Sequence, residues 1–124
     1  TSLSSTFQAL NSCESFSIKG WDVTGVITAA NCFREMGNTT VGGCAGDLSD
    51  LTFNVCTSFS YSWYLSKFSS LDMSGWDLGV ANAAWTNAFY QMDYTGLLDL
   101  SGWTNIRPTA SMGYMFRGTN ATSR

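Results

Sequence analysis

The most informative absence in this sequence is histidine. None of the 124 residues is His, which excludes Ser-His-Asp and Cys-His catalytic groups and any zinc site that needs an imidazole ligand. Charged residues are also scarce, at 12% of the chain. The formal net charge is −3, which disfavours nucleic-acid binding because the phosphate backbone attracts a basic surface.

Long apolar runs are absent as well, so we predict no membrane-spanning segment. The chain begins at Thr1 without a charged and apolar leader, and we therefore expect a fragment or a processed form of a longer protein. Hydrophobic residues still amount to 44%. That share is enough for the core of a single domain at this length.

A short motif recurs along the chain. Its four copies are FSIKGW (16–21), GDLSDL (46–51), LDMSGW (71–76) and LDLSGW (98–103). The final residues of the copies, which we call the anchors, are Trp21, Leu51, Trp76 and Trp103. Successive anchors are 30, 25 and 27 residues apart. A unit of this length cannot bury an apolar face alone, so neighbouring units must stack.

An aromatic residue follows each anchor at a nearly constant distance of 12 or 13 residues. These second aromatics are Phe33, either Trp63 or Tyr64, Phe89 and Phe116. Phe7 precedes Trp21 by the same 14 residues that separate Phe89 from Trp103. Phe7 therefore ends a truncated preceding unit.

The pattern resembles the BspA-like leucine-rich repeat, a repeat of surface proteins. Its Leu-Asp-Leu-Ser strand and Trp are matched at 98–103, its Met-x-x-Met-Phe box at 112–116, and its Trp-Asp step at 21–22 and 76–77. The chain departs from the family pattern where Leu51 replaces Trp. The resemblance implies extracellular, often adhesive proteins of microbes, protists and their viruses, and it implies no enzymatic activity.

We predict an α/β fold, a leucine-rich-repeat-like right-handed solenoid of about four coils. Apolar and polar residues alternate in Leu98–Ser101, which predicts one short parallel strand per coil. A spacing of three and four around the second aromatics predicts short helical return segments. The single domain, 1–124, divides into a partial unit and four coils: 1–15, 16–45, 46–70, 71–97 and 98–124. The predicted core consists of Trp21, Leu51, Trp76, Trp103, Phe33, Phe89 and Phe116.

Three carboxylates, Asp47, Asp72 and Asp99, fall in one column of the predicted sheet, where they would repel one another. Ser hydroxyls, backbone amides or a calcium ion would have to offset that repulsion. No loop with the six to eight oxygen ligands of calcium is present in the sequence, and a flat sheet offers no pocket for acid–base catalysis. We therefore predict no metal, no cofactor and no enzymatic activity.

The four cysteines contain no Cys-x-x-Cys pair, which disfavours a redox motif or a zinc ribbon. An even number in a small chain rich in Ser and Thr favours disulfides and an oxidising compartment over free buried thiols. Three pairings are open. We favour Cys13–Cys44 with Cys32–Cys56, because Cys13 and Cys44 lie at matching positions of adjacent units.

Five residues are candidates for a binding surface, because Tyr and Arg are enriched at interface hot spots. Arg34, Tyr90 and Arg117 directly follow second aromatics, and Tyr94 and Tyr114 also lie outside the core pattern. The alternative is an ordinary solvated surface. A sugar-binding platform of Trp residues is less favoured, because their phase in the repeat assigns them to the core.

The sequence thus predicts a non-enzymatic extracellular or surface-exposed protein that mediates protein–protein contacts as a structural component of a surface appendage, filament or virion. Its expected partners are proteins, including copies of itself stacked end to end. The alternative is an adhesin-type module that recognises a host protein or glycan. A carboxylate-dependent hydrolase is a distant third.

Overall fold

A computed structural model describes residues 1–79, 83–96, 98–106 and 111–121. Its six strands are β1 (Ser15–Ser17), β2 (Cys44–Asp47), β3 (Lys67–Asp72), β4 (Asp93–Tyr94), β5 (Leu98–Asp99) and β6 (Asn120–Ala121). They form one sheet in the order β1-β2-β3-β4-β6, with β5 also paired to β3. Every strand pair is parallel, so the predicted parallel sheet is confirmed.

The repeated motifs lie side by side in this sheet. Phe16 pairs with Gly46, Gly46 with Leu71, and Leu71 with Leu98. The next position along the strands forms a second row, which consists of Ser17, Asp47, Asp72 and Asp99. The predicted column of three carboxylates is therefore present.

The next residue of each motif lies in the interior. Ile18, Leu48 and Met73 are buried, and Leu100 is partly buried against the same core. This is the alternation of a strand with one buried face, which the motif predicts.

The anchors are buried in the middle of the molecule and exposed at one side. Leu51 and Trp76 are buried, and Trp103 is partly buried. Trp21 is 49% exposed, which corrects its assignment to the core. It lies in the outermost strand-bearing unit, where its ring packs against Phe7 at 5.9 Å and no full unit covers it among the described residues.

The second aromatics form a continuous stack of five rings. The centroid distances are 5.6 Å for Phe7–Phe33, 5.6 Å for Phe33–Trp63, 4.8 Å for Trp63–Phe89 and 5.0 Å for Phe89–Phe116. The structure thus places Trp63, not Tyr64, in this column and puts Phe7 in line with it. Phe116, assigned to the core from the sequence, is 47% exposed because it is the last ring of the stack.

The prediction of helical return segments is wrong, because the described residues contain no helix. The segments that carry the second aromatics are runs of tight turns. Two residues four positions apart have a left-handed φ in each unit: Asn31 and Glu35, Tyr61 and Leu65, and Asn87 and Gln91. An α-helix needs a φ near −63° at every residue, so this backbone cannot continue as one. None of the described segments forms a helix able to cross a lipid bilayer.

Hydrogen bonds alternate between two directions along these turns. The N–H of Phe33 donates to the Ser62 carbonyl of the next unit at 2.8 Å, whereas the N–H of Arg34 donates to the Asn31 carbonyl of its own unit at 3.3 Å. The same alternation recurs one unit later. Every second residue, here Asn31, Phe33 and Glu35, therefore bonds to the next unit and fixes the spacing between units. The residues between them, Cys32, Arg34 and Met36, close the local turns.

Candidate functional site

A row of surface side chains crosses four successive units. Each member directly follows one of the stacked inward aromatics and is half-buried or exposed. This arginine–tyrosine row consists of Arg34, Tyr64, Tyr90 and Arg117. Three members are sequence-predicted binding residues. The fourth, Tyr64, could have been found once Trp63 was assigned to the aromatic stack.

The four side chains stack on one another. The guanidinium carbon of Arg34 lies 4.9 Å from the centre of the Tyr64 ring. The rings of Tyr64 and Tyr90 are 5.3 Å apart and within 10° of parallel. The guanidinium carbon of Arg117 lies 5.8 Å from the centre of the Tyr90 ring. The row is therefore ordered Arg-Tyr-Tyr-Arg.

This order covers both faces of both tyrosine rings. Tyr64 lies between Arg34 and Tyr90, and Tyr90 lies between Tyr64 and Arg117. Cation–π contacts at exposed sites contribute about 0.5–1 kcal/mol each, so the row is held in place by its own members. The groups of the row that a partner can contact are therefore the guanidinium groups, the edges of the tyrosine rings and the tyrosine hydroxyls.

Two more tyrosines flank the row. Tyr61 packs edge-on against Tyr64 at 5.7 Å, and its hydroxyl accepts a hydrogen bond from Asn87 Nδ2 at 3.1 Å. Tyr114 is 66% exposed, with the guanidinium carbon of Arg117 5.1 Å from its ring centre. The fifth predicted residue, Tyr94, lies on β4 in register with Phe68 and is partly buried against the core.

The charge of the row is positive and only partly balanced. Arg34 Nε lies 3.7 Å from Glu35 Oε1. Arg117 makes no ion pair within the part of the chain that the structure describes. A charge-complementary partner of this surface is therefore acidic.

The carboxylate row, Asp47, Asp72 and Asp99, lies on the sheet, in a different part of each unit. Through Oδ1, each member accepts the backbone N–H of the serine two residues later, at 3.0 Å in Asp47 and 2.9 Å in the other two. The serine hydroxyl also donates to Asp47 and Asp72, at 2.7 and 2.6 Å. The Oδ2 atoms take no part in these bonds.

At Asp47 and Asp99 these local hydrogen bonds favour the ionised carboxylate. The Ser49 hydroxyl and then its backbone N–H lower the pKa of Asp47 below its ordinary value. The corresponding groups of Ser101 lower the pKa of Asp99. The repulsion between the carboxylates is expected to be offset by Ser hydroxyls, backbone amides or a calcium ion. The structure shows hydrogen bonds from Ser hydroxyls and backbone amides.

Two members of the carboxylate row, Asp47 and Asp72, border a shallow groove of about 220 Å³, which Phe16 and Ser70 also line. Across the described ranges, no three side chains of the His, Cys, Asp or Glu types are grouped so that they could hold a metal ion. A general acid near neutral pH needs a raised carboxyl pKa, and the shifts at Asp47 and Asp99 have the opposite direction.

The four cysteines are unpaired thiols in the structure. The Sγ atoms of Cys13 and Cys44 are 3.2 Å apart, with the Cys44 thiol donating to Cys13. Cys32 and Cys56 are fully buried. The pKa of Cys32 is raised to about 12, mainly by burial and to a smaller extent by the nearby Cys56 thiol.

Comparison with known proteins identifies no relative. No family model matches the chain, and neither a curated protein nor a solved structure resembles it significantly.

Proposed function

We propose that the chain is a right-handed solenoid of about four coils, similar to BspA-like leucine-rich repeats. The register of the motifs across β1, β2, β3 and β5 supports this, as does the stack of five aromatic rings. Crossovers between parallel strands are right-handed in about 98% of cases. That rule supports the hand of the solenoid.

The solenoid serves as a non-enzymatic extracellular protein that makes protein–protein contacts in a surface appendage, filament or virion. The observation that carries this proposal is the arginine–tyrosine row. Its ring faces are covered by its own members, so a sugar ring has no face of Tyr64 or Tyr90 to stack on. Guanidinium groups and tyrosine hydroxyls fit an acidic protein surface instead.

The chain itself carries such an acidic surface. The carboxylate row has the same unit spacing as the arginine–tyrosine row, since both repeat once per unit. Docking of one row onto the other row of a neighbouring molecule is a heterologous contact, and such contacts propagate into filaments when they do not close. Pairing of two arginine–tyrosine rows is less favoured, because antiparallel alignment places Arg34 against Arg117.

Sedimentation velocity at low and high salt tests this contact. We expect wild-type protein to form larger species at low salt and to dissociate at high salt, because salt screens exposed charges. Two variants, each lacking the charges of one row, should stay monomeric. The first is Arg34→Gln/Arg117→Gln, and the second is Asp47→Asn/Asp72→Asn/Asp99→Asn. Asn keeps the acceptor oxygen of the serine turn, so the second variant changes mainly charge.

An equimolar mixture of the two variants gives the sharpest result. The first retains the carboxylate row and the second retains the arginine–tyrosine row, so the mixture should form one-to-one pairs and nothing larger. Glu14→Gln, which removes an exposed charge outside both rows, should assemble as wild type does. Wild-type protein that stays monomeric at every salt concentration would contradict self-assembly.

The second candidate is an adhesin that recognises a glycan. It is favoured by Tyr114, whose ring is largely exposed. Binding of monomeric protein to a glycan array, lost in Tyr114→Ala, would support the adhesin and contradict the structural role.

A further inference from the structure

We propose that Cys13 and Cys44 are a selective redox site, which forms a disulfide by exchange with a small-molecule disulfide such as oxidised glutathione, while Cys32 and Cys56 remain thiols in the folded protein. This inference does not depend on the proposed function. It concerns which thiols of the folded chain react.

The geometry places the two sulfur atoms within reach of each other. Cys13 lies just before β1 and Cys44 begins β2, and these strands are parallel neighbours with Ser15 opposite Ala45. The Sγ atoms, 3.2 Å apart, need to approach by only about 1 Å to reach the length of an S–S bond. Side-chain rotation supplies a movement of this size.

Access differs between the two sulfur atoms. Cys13 is half-buried and lines an open groove of about 570 Å³ with residues 9–12. Cys44 is fully buried behind it. A small disulfide therefore reaches Cys13 first, and Cys44 is the resolving thiol.

The exchange balances in two steps. The Cys13 thiolate attacks glutathione disulfide, forming a mixed disulfide and releasing one glutathione thiolate. Cys44 then loses its proton to that thiolate or to water and attacks the Cys13 sulfur, releasing the second glutathione. Two protein thiols are oxidised, and one glutathione disulfide is reduced to two thiols.

The environment of Cys44 changes between the steps. The pKa of the Cys44 thiol is raised to about 12, mainly by burial and also by the hydrogen bond with Cys13 and the Cys13 charge. The charge disappears once Cys13 is bonded to glutathione. Formation of the mixed disulfide thus makes Cys44 easier to ionise, which promotes the second step.

The buried pair lacks an entry route. Cys32 and Cys56 are at most 1% exposed, and burial raises the pKa of both thiols. Both properties suppress exchange, because the reactive species is an accessible thiolate. Oxidation of the folded protein therefore stops after one disulfide.

The linkage reinforces an existing attachment between adjacent units. The Thr40 hydroxyl donates to the Cys13 carbonyl at 2.8 Å, and the Thr39 hydroxyl donates to the Asn11 carbonyl at 2.8 Å. A disulfide at this place constrains the unfolded chain. Oxidised protein should therefore unfold at a higher urea concentration than reduced protein.

The test incubates folded, fully reduced protein with oxidised glutathione at mildly alkaline pH. We expect the intact mass to fall by two hydrogens and peptide mapping to link Cys13 to Cys44, with Cys32 and Cys56 alkylated only after unfolding. Cys44→Ser should instead accumulate glutathione on Cys13, and Cys13→Ser should gain neither modification.

Several outcomes would overturn the proposal: a wild-type mass that does not change, a stable glutathione adduct on wild-type protein, or a linkage that includes Cys32 or Cys56. If the Cys44→Ser variant fails to fold, the peptide map and the urea midpoint of the wild-type protein still decide the matter.

Discussion

The indole Nε1 of Trp76 donates a hydrogen bond of 2.6 Å to the backbone carbonyl of Leu48, one unit earlier. Trp103 repeats this contact with the carbonyl of Met73, also at 2.6 Å. The anchor therefore fills the core with its ring and also satisfies a carbonyl just beyond a short strand. This dual role explains why Trp suits a position where a purely apolar side chain would leave a buried acceptor unpaired.

Replacing Trp76 with Phe should separate these two roles. The substitution leaves the buried Leu48 carbonyl without its donor, which costs about 1–3 kcal/mol, and the smaller ring adds a cavity term. Urea unfolding followed by circular dichroism measures the loss. Trp21→Phe is the matched control, because Trp21 is half exposed, and should change stability by about 0.5 kcal/mol or less. Equal losses in the two variants would contradict the assigned role.

Trp63 should behave differently from Trp76. Its Nε1 is buried and has no hydrogen-bond partner among the described residues, and the other members of its stack are phenylalanines. Trp63→Phe removes an unsatisfied donor, which recovers about 1–3 kcal/mol against the cost of the smaller ring. We therefore expect a smaller loss than in Trp76→Phe by the same unfolding measurement. A larger loss would show that ring size dominates at this position.

The parallel sheet and the aromatic stack could be predicted because the repeat has two landmarks. The motif fixes which residues lie opposite each other in the strands, and the second aromatic fixes the phase of the rest of the unit. Leu51 and Trp63 are found at the predicted positions even though their unit departs from the common pattern. The exposure of Trp21 and Phe116 follows from their being the outermost members of their columns.

The turn segments could not be predicted from the same pattern. Apolar residues spaced three and four positions apart are typical of a helix. A run of overlapping turns, in which the buried residues recur at the same spacing, gives the same pattern. Glu35, Tyr61 and Leu65 have left-handed φ values, which these residue types seldom adopt. Hydrogen bonds to the neighbouring unit hold them there, and a local propensity contains no information about such bonds.

The candidate surface was predictable in part for the same reason. Arg34, Tyr90 and Arg117 share a repeat position, so they fall in one row. Tyr64 completes the row only when Trp63 is known to be the inward ring. Tyr94 has no equivalent in that row, because it belongs to a strand.

Stability should fall in acid through Asp47 and Asp99 of the carboxylate row. The pKa values of Asp47 and Asp99 are lowered in the folded protein, so the folded state favours the ionised form. This contribution is complete above the unfolded pKa of about 4 and is lost as the pH falls through the lower folded values. Urea midpoints measured from neutral pH down to about pH 3 should decline in that window.

The variant Asp47→Asn/Asp99→Asn is the control for this pH dependence. Neither amide titrates, so its midpoint should be lower at neutral pH and should change less on acidification. A variant that shows the full wild-type decline would assign the acid sensitivity to other carboxylates.

Gly75 is a position where a single methyl group should be poorly tolerated, because its backbone has a left-handed conformation. Its φ is +70°, and a Cβ built there would collide with Asp50 Oδ1 in the preceding unit. A left-handed conformation costs a non-glycine residue about 1–2 kcal/mol, whereas the exposed Asp50 side chain can rotate away from the added methyl group. Gly75→Ala should therefore lower the free energy of unfolding by about this amount. Gly25→Ala is the matched control, since Gly25 has no left-handed φ and no atom within 4 Å of the added group. Its stability should stay within about 0.5 kcal/mol of wild type, and equal effects of the two substitutions would contradict the role assigned to the left-handed backbone at Gly75.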